Sequence, residues 1–420
     1  MAKTITIVER ATNVKSFWDV FIGDKAIWML YFILSVVSLI AVFSSSSMVI
    51  MHNGVSNTGG VFIKQFVLLL VGILIALTTS WLIARWSPDI LRKFGWPIYW
   101  ISVILLLMTF SSAFSQEING ERRWINILGF SVQPSEVAKM TLVIVLSKIF
   151  SKNRNQLDDT KKVLLPVMLS TFVVAGIVFK SNFSSSLFLI LIMFFMMYVG
   201  RLPWKQILLI IGTGLILAFS VGTVIIKHPD VFPRGTTWQK RLVSFYPPLA
   251  EYATGYDAET KIDNYQVTQA EIAIAEGGIL GKMPGNSTQR YKLSQAYCDF
   301  IFAIIIEETG WWGMAGVIIL YLIFIIRIYA LIRRSVQAYE ALLLAGLGFI
   351  IVAQALLHMG VVTGMLPATG QTLPVISAGG SSLFITSIEF GIILGTIQYN
   401  KDNSDKITDN KTEKNDESSN

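Results

Sequence analysis

Residues 27–44 read IWMLYFILSVVSLIAVFS, an apolar stretch without a single charged side chain. A helix of about 20 mainly apolar residues is long enough to cross the hydrocarbon core of a bilayer. Further stretches of this kind lie at 62–84, 96–114, 133–150, 163–179, 184–200, 206–226, 312–333, 341–362 and 379–398. The sequence therefore predicts an all-α polytopic membrane protein with about ten transmembrane helices.

The composition agrees with this fold class. Of the 420 residues, 53% are hydrophobic and only 15% are charged, whereas soluble proteins carry about a quarter charged residues. The net charge of +7 does not indicate nucleic-acid binding, because much of the Lys and Arg lies between the apolar stretches. The single cysteine, Cys298, excludes an internal disulfide and a Cys-based zinc site.

Lysine and arginine are distributed unevenly among the connections, and positively charged connections stay in the cytoplasm. With a cytoplasmic leader at 1–26, the even-numbered connections are also inside and carry most of these residues. The outside connections 45–61 and 363–378 contain neither Lys nor Arg. An even number of spans returns the chain to the inside, so we expect both termini in the cytoplasm.

Two segments are predicted to lie outside the bilayer. Residues 227–298, between helices 1–7 (27–226) and helices 8–10 (299–398), form an extracytoplasmic loop too long for an idle connection. Within it, apolar residues recur at helical spacing over 265–273. The tail at 399–420 is polar and is predicted to be disordered in the cytoplasm.

Several polar residues lie near the predicted outer ends of the spans. Arg122 and Arg123 depart from the charge bias and suit bidentate phosphate contacts, or contacts with lipid headgroups. Glu136 and Lys139 are three residues apart on one helix face and can pair. Lys180, at the end of the fifth span, is either a snorkelling lysine or a ligand contact.

Asp299 lies where the long loop re-enters the membrane. An acidic residue at such a depth is a functional-site hypothesis by default, and partial burial would raise its pKa toward that of a general base. The alternative is an interfacial helix cap. Glu307 and Glu308 point about 100° apart on a helix, so at most one can face the same cavity as Asp299. Both could instead anchor the break before Gly310.

Four sequence blocks resemble the SEDS family (shape, elongation, division and sporulation; FtsW/RodA/SpoVE-like). They are N-G-x-x-R-W-I…Q-P-S-E-x-x-K at 119–139, Q-x-x-x-A-x-I-A-I-x-x-G-G-x-x-G at 266–281, D-F-I-F-A-x-x-x-E-E-x-G at 299–310, and G-x-L-P-x-T-G-x-x-L-P…S-x-G-G-S-S at 364–382. Their order and the large outside loop match the family over roughly 20–400.

The resemblance implies a peptidoglycan glycosyltransferase that polymerises lipid II in the bacterial cytoplasmic membrane, with Asp299 as the catalytic residue. Candidate substrate-binding residues are Arg122, Arg123, Lys139, Lys180, Lys240, Arg241, Glu136 and Gln133. Candidate site-shaping residues are Gly277, Gly278, Gly370, Pro374, Gly379, Gly380 and Ser381.

The implied partners are lipid II, the nascent glycan strand, a class B penicillin-binding protein and other division or elongation membrane proteins. The mixed-charge leader and tail favour an FtsW-like division role. No metal-ligand cluster is visible in the sequence, although Mg²⁺ or Mn²⁺ on the diphosphate would suit the chemistry.

The chain departs from the family pattern at Asn182, His358, Ser294, Gln295 and Cys298. Two alternatives to the enzyme stay open. Broken helices, glycines and intramembrane charges also fit a lipid II flippase or transporter using the same cavity, and a non-catalytic scaffold of the division complex would follow if these departures disable the site. The acid and the unexpected cations cluster at one face, which favours the enzyme over a transport path to both faces.

Overall fold

The computed structural model describes residues 20–46, 58–111, 114–118, 121–127, 130–231, 235–246, 249, 252–253, 265–293, 296–367 and 370–417. Its long helices are α1 (Lys25–Ser45), α2 (Thr58–Trp86), α3 (Asp89–Met108), α4 (Pro134–Lys152), α5 (Leu165–Ser181), α6 (Phe183–Val199) and α7 (Trp204–Lys227). The large loop adds α8 (Gly235–Phe245) and α9 (Tyr265–Gly277), and α10 (Ile301–Ile332), α11 (Ala338–Val362) and α12 (Gly380–Glu417) follow.

The helices confirm the polytopic helical fold. Within the described ranges, eight are long and apolar enough to cross a membrane; a π-helical turn, Thr160–Leu164, extends α5. The two other predicted spans are α6, which is apolar but only 17 residues long, and α4, which is charged at its start and buried along most of its length. The count of ten spans therefore stays a prediction.

Helices α10 and α12 extend furthest beyond their predicted spans. Helix α10 starts at Ile301, since Gly310 adopts φ 64° and ψ −156° and lets two helical segments join across a kink. Helix α12 continues to Glu417, although the sequence predicts disorder over 399–420. Adding residues to an existing helix requires no new nucleus, which explains the continuation of a polar sequence.

The connection between α3 and α4 is a small antiparallel sheet, which the all-α prediction omitted. Strands β1 (Ser115–Ile118), β2 (Glu121–Ile127) and β3 (Phe130–Val132) pair in that order. Ile125 of β2 pairs with Ser115 and Val132 and is buried. The strands are too short for a period-two pattern to stand out, but they satisfy backbone groups of the loop.

The large loop is partly helical, as its pattern predicts. Helix α9 covers the predicted helical segment 265–273. Helix α8 lies over the junction of α5 and α6, where the Trp238 ring is 5.1 Å from the Phe179 ring and 5.8 Å from the Phe183 ring, centroid to centroid. The loop therefore covers one outer end of the helix bundle.

Glu307 and Glu308 hold the segment that follows α9, which agrees with the prediction that they secure the chain before Gly310. The Glu307 carboxylate accepts bonds from the Lys282 ammonium at 2.8 Å and the Thr288 backbone N–H at 2.8 Å. The Glu308 carboxylate accepts from the Gly285 N–H at 3.1 Å. Both carboxylates are buried, and these partners offset the cost of their burial.

Glycines let the same segment lie directly against the kink of α10. Gly281 has φ +75°, and a Cβ atom there would lie 2.2 Å from the Glu308 carbonyl oxygen. The Trp311 N–H donates to the Gly278 carbonyl at 3.1 Å. The glycines of this block therefore allow two backbone segments to lie in direct contact.

Replacing Gly281 with alanine tests this contact, with Gly278→Ala as its control. Both glycines have positive φ, +75° and +52°, but a Cβ at Gly278 meets nothing within 4 Å. Left-handed φ alone costs about 1–2 kcal/mol, and forced overlap adds about 1–3 kcal/mol. Thermal unfolding in detergent should therefore show a larger loss of Tm for Gly281→Ala. Equal losses would contradict the close packing.

Candidate active site

Asp299 lies in the turn just before α10, and the last loop fixes the backbone of that turn. The Ala378 N–H donates to the Tyr297 carbonyl at 3.0 Å. The Ser377 hydroxyl donates to the Cys298 carbonyl at 2.8 Å, and the Cys298 thiol donates to the Ala378 carbonyl at 2.9 Å. Residues 297–299 and 377–378 therefore form one rigid unit.

The last loop joins α11 to α12 over residues 363–379, and its non-helical segment 373–377 is buried. The Leu373 N–H donates to the Ser377 hydroxyl at 2.8 Å, and the Tyr321 hydroxyl donates to the carbonyl of buried Pro374 at 2.5 Å. Val375 has φ +66°, an uncommon conformation for a β-branched residue. These bonds provide partners for backbone groups that lie outside any helix.

The Asp299 carboxyl has the electrostatics of a base that works near neutral pH. Burial raises its pKa to about 6, against the opposing effect of the positive charge on Arg123. A carboxyl with this pKa is largely ionised at pH 7 and still binds a proton more tightly than an exposed aspartate. The side chain stays half-exposed, so a substrate group can reach it.

Arg123 lies in strand β2, which positions its side chain near Asp299. Its Nε–H donates to the Ser181 carbonyl at the end of α5, 3.1 Å away. A Cβ atom at Gly370, which has φ +62°, would lie 3.9 Å from the Arg123 Nη1 atom. Arg123 thus lies between α5 and the last loop. Arg122 is in the same strand, but its side chain lies outside the described part of the chain.

A cation that the sequence analysis missed lies near the same turn. Lys64 is exposed on α2. Burial of the Cys298 thiol raises its pKa to about 12, and the nearby Lys64 charge partly opposes that rise. Lys64 was passed over because it falls inside the apolar stretch 62–84. A lysine so close to the outer end of a span, after a connection without Lys or Arg, was the available signal.

Lys139 is buried inside the helix bundle. It is 1% exposed, and its ammonium lies 2.7 Å from the Glu136 carboxylate and 2.7 Å from the Gln354 side-chain oxygen. The Gln354 amide donates to the Thr372 carbonyl at 3.1 Å, which links the pair to the last loop. The predicted Glu136–Lys139 pair is confirmed.

Sequence reasoning overlooked two polar residues of this buried group, Gln354 and Glu389. Glu389 of α12 is buried and near enough to Lys139 for electrostatic interaction. Both residues lie within apolar stretches, at 341–362 and 379–398, where a polar side chain is itself a signal.

Two departures from the family pattern, Asn182 and His358, belong to one hydrogen-bond chain. The His358 Nδ1 atom lies 2.8 Å from the Gln371 carbonyl, and the Gln371 amide donates to the Ser185 hydroxyl at 2.9 Å. The Ser185 N–H donates to the Asn182 side-chain oxygen at 3.2 Å, which caps α6. Both positions therefore help to join α6, α11 and the last loop.

The remaining predicted residues lie either in the walls of the candidate site or at its edge. The Gln133 N–H donates to the Ser381 hydroxyl at 2.8 Å, which joins α4 to the start of α12 beside Gly379 and Gly380. Gly277 ends α9, and its missing side chain leaves room for the Ile306 carbonyl. With Gly278, it shapes the packing of the loop on α10.

The other predicted cations lie at the rim or outside the described side chains. Lys180 is exposed, with its ammonium 4.8 Å from the centre of the Phe110 ring. Lys240 and Arg241 are on α8, and their side chains lie outside the described part, as do residues Ser294 and Gln295. No group of three His, Cys, Asp or Glu suited to a metal is found among the described residues.

Sequence relatives extend over most of the chain. The FtsW protein of Nitrosococcus halophilus, described as a probable peptidoglycan glycosyltransferase, is 32% identical over 77% of this chain and 80% of its own length. The Enterococcus hirae protein of the same description is 29% identical over 88% of this chain and 91% of its own.

Solved structures show the same fold. A chain from a structure described as "Structural coordination of polymerization and crosslinking by a peptidoglycan synthase complex" gives a TM-score of 0.68 at 22% identity, covering 90% of this chain and 98% of that one. The rod shape determining protein RodA of Thermus thermophilus gives 0.60 at 22% identity, covering 90% and 97%.

The family resemblance found in the four sequence blocks is confirmed by a profile that covers nearly the whole chain. The profile is described as "Cell cycle protein" (FtsW/RodA/SpoVE) and matches residues 24–402. This chain, a multi-pass membrane protein by its apolar helices, belongs to the FtsW/RodA/SpoVE family of cell cycle proteins.

Proposed function

We propose that this protein is a peptidoglycan glycosyltransferase that joins lipid II disaccharide-pentapeptide units into a glycan strand. The observation that carries the proposal is Asp299, a half-exposed carboxyl whose pKa burial raises to about 6 and which lies under the influence of the Arg123 charge. Membership of the family and the descriptions of its curated relatives support the same activity.

Asp299 is proposed to act as the general base. The hydroxyl oxygen of the acceptor sugar forms a bond to the anomeric carbon of the donor, and Asp299 accepts the hydroxyl proton. The bond between that carbon and the diphosphate oxygen breaks, so undecaprenyl diphosphate leaves with its electron pair. The hydrogen bonds from the last loop hold the backbone just before Asp299 in position for this transfer.

The departing diphosphate requires positive charge near Asp299. Arg123 suits this role because its guanidinium is already held at the site by the Ser181 carbonyl. Lys64 and Lys180 are exposed and can reach a long anionic substrate. Lys139 is buried and paired on both sides, so we assign it to positioning the last loop.

Mg²⁺ or Mn²⁺ would suit the diphosphate, and we infer that such an ion would be held mainly by the substrate. The described residues gather no three-ligand cluster, and Asp299 is the nearby carboxylate that could contribute one oxygen. Bound there, the ion would supply charge neutralisation to the leaving group.

We infer that the protein lies in the bacterial cytoplasmic membrane with both termini in the cytoplasm and Asp299 outside, because Lys and Arg concentrate in alternate connections. We also infer a class B penicillin-binding protein as its partner. The structural likeness to a chain of a peptidoglycan synthase complex that polymerises and crosslinks supports this partnership.

The Asp299→Asn variant should lose polymerisation by at least about a hundredfold, since general bases contribute factors of about 10²–10⁴. The assay measures polymer from labelled lipid II with purified protein, alone and co-expressed with its transpeptidase in a catalytically dead form. Asp230→Asn, which changes an exposed acid of the same loop, should keep wild-type activity.

Each other outcome of that assay has a different meaning. Equal polymer from wild type and Asp299→Asn would remove Asp299 from the mechanism while keeping the enzyme. No polymer from wild type, even with the partner, would overturn the enzyme and favour the flippase or the scaffold.

The rate of polymerisation should depend on pH through Asp299. A base must be ionised, so the rate should fall as pH decreases through about 6 and level off above it. Arg123→Gln removes the charge that lowers this pKa, so its acid limb should move to higher pH, whereas Arg123→Lys should largely keep it. Initial rates across pH check this. A wild-type limb near the ordinary value of 3.8 would contradict the burial.

Lys139 and Lys180 should give different defects. Lys139→Ala leaves Glu136 buried without its partner, which should cost about 3–5 kcal/mol of stability. The double variant Glu136→Gln/Lys139→Met should recover much of that loss. Lys180→Ala should raise KM with little change in Tm. Thermal unfolding and steady-state kinetics measure both, and a stable Lys139→Ala protein with a raised KM would contradict the positioning role.

A further inference from the structure

A basic cavity lies at the ends of α3 and α4 that face away from Asp299. Arg123 belongs to the sheet that joins Met108 of α3 to Pro134 of α4, whereas the cavity is next to Asp89, where α3 begins. Helix α3 has 20 residues and is therefore about 30 Å long. The cavity is thus separate from the proposed active site, and its argument does not rest on the proposed function.

The cavity has a volume of about 680 Å³ and six lining residues: Asp89, Arg92, Lys93, Lys148, Ser151 and Lys152. A smaller cavity of about 460 Å³ shares Ser151 and Lys152 and extends to Gln156. The cavity is open at the protein surface rather than enclosed. The space is large enough for a phosphate group and the atoms attached to it.

The lining carries four basic side chains and one acidic side chain, a surplus of three positive charges. Arg92 and Asp89 are 3.1 Å apart, with 45% and 42% of their side chains exposed. An ion pair so exposed contributes little, so Arg92 can exchange its partner for an anion at small cost. Topology requires only that these connections carry positive charge, not that their basic side chains line one cavity. The clustering of these side chains therefore needs a further explanation.

Packing between the two helices holds the central lysine in position. A Cβ atom at Gly95 of α3 would lie 3.7 Å from Cδ of Lys148, an ordinary van der Waals distance, so the lysine stem runs alongside α3 at this glycine. The Lys148 ammonium donates to the Lys93 carbonyl at 3.4 Å. Lys148 is half-buried, and its charge is therefore presented to the cavity by a rigid surface rather than by a free side chain.

We propose that this cavity binds a phosphate group of an anionic molecule at the membrane surface. Arg92 would contact two phosphate oxygens through its planar guanidinium, while Lys148 and Lys152 would act as point charges. The Ser151 hydroxyl can donate a further hydrogen bond. A phospholipid headgroup and a soluble phosphate share this chemistry, and the experiment distinguishes them.

The test measures binding to the full-length purified protein by native mass spectrometry and by thermal stabilisation. The probes are phosphatidylglycerol, phosphatidylcholine and inorganic phosphate, each added to protein in neutral detergent. The variant Lys148→Gln/Lys152→Gln removes two cavity charges. Its control, Arg333→Gln/Arg334→Gln, removes two exposed charges that do not line the cavity, at the end of α10.

We expect phosphatidylglycerol to bind wild type and the control equally, and the cavity variant at least about tenfold more weakly, because hydrogen bonds to charged groups are worth a factor of that size. Stabilisation by inorganic phosphate that is lost in the same variant would support the site and assign it to soluble phosphate. Equal weakening in the cavity variant and the control, or no binding to wild type of any probe, would overturn the proposal.

Discussion

The architecture depends on one constraint: inside a bilayer, every backbone N–H and carbonyl must find a partner within the protein. Most of the chain meets it with helices. The last loop, between α11 and α12, cannot, and its backbone groups are satisfied instead by the Tyr297 carbonyl, the Cys298 thiol, its own Ser377 hydroxyl and the Tyr321 hydroxyl. Because those bonds run to the turn that carries Asp299, the same constraint places the proposed base.

Buried and half-buried carboxylates have two different roles in this molecule. Glu307 and Glu308 are surrounded by donors from the segment after α9, and Glu136 is paired with Lys139. These groups have their partners inside the protein, so they hold segments together. Asp299 is half-exposed; burial raises its pKa, and the Arg123 charge opposes that rise only in part. That incomplete compensation distinguishes a group available for proton transfer from groups that stabilise the fold.

The two ends of the bundle carry positive charge for different reasons. At the Asp299 end, cations come from separate elements, with Arg123 from β2, Lys64 from α2 and Lys180 from α5. At the other end, Arg92, Lys93, Lys148 and Lys152 come from two neighbouring helices that pack closely at Gly95. The first arrangement suits a large diphosphate substrate in transit. The second suits a phosphate group that stays at the membrane surface.

The sequence by itself determined the fold class and the family, and it singled out Asp299 as the candidate base, because apolar stretches and short motifs are local properties of the chain. It also indicated the Glu136–Lys139 pair, three residues apart on one helix. Tertiary structure decided what local pattern does not contain: the burial of Lys139 against Gln354, 215 residues away, and the presence of Lys64 near Cys298. The sheet between α3 and α4 was decided there as well. Such contacts depend on how distant helices pack, and the same apolar stretches are compatible with many packings.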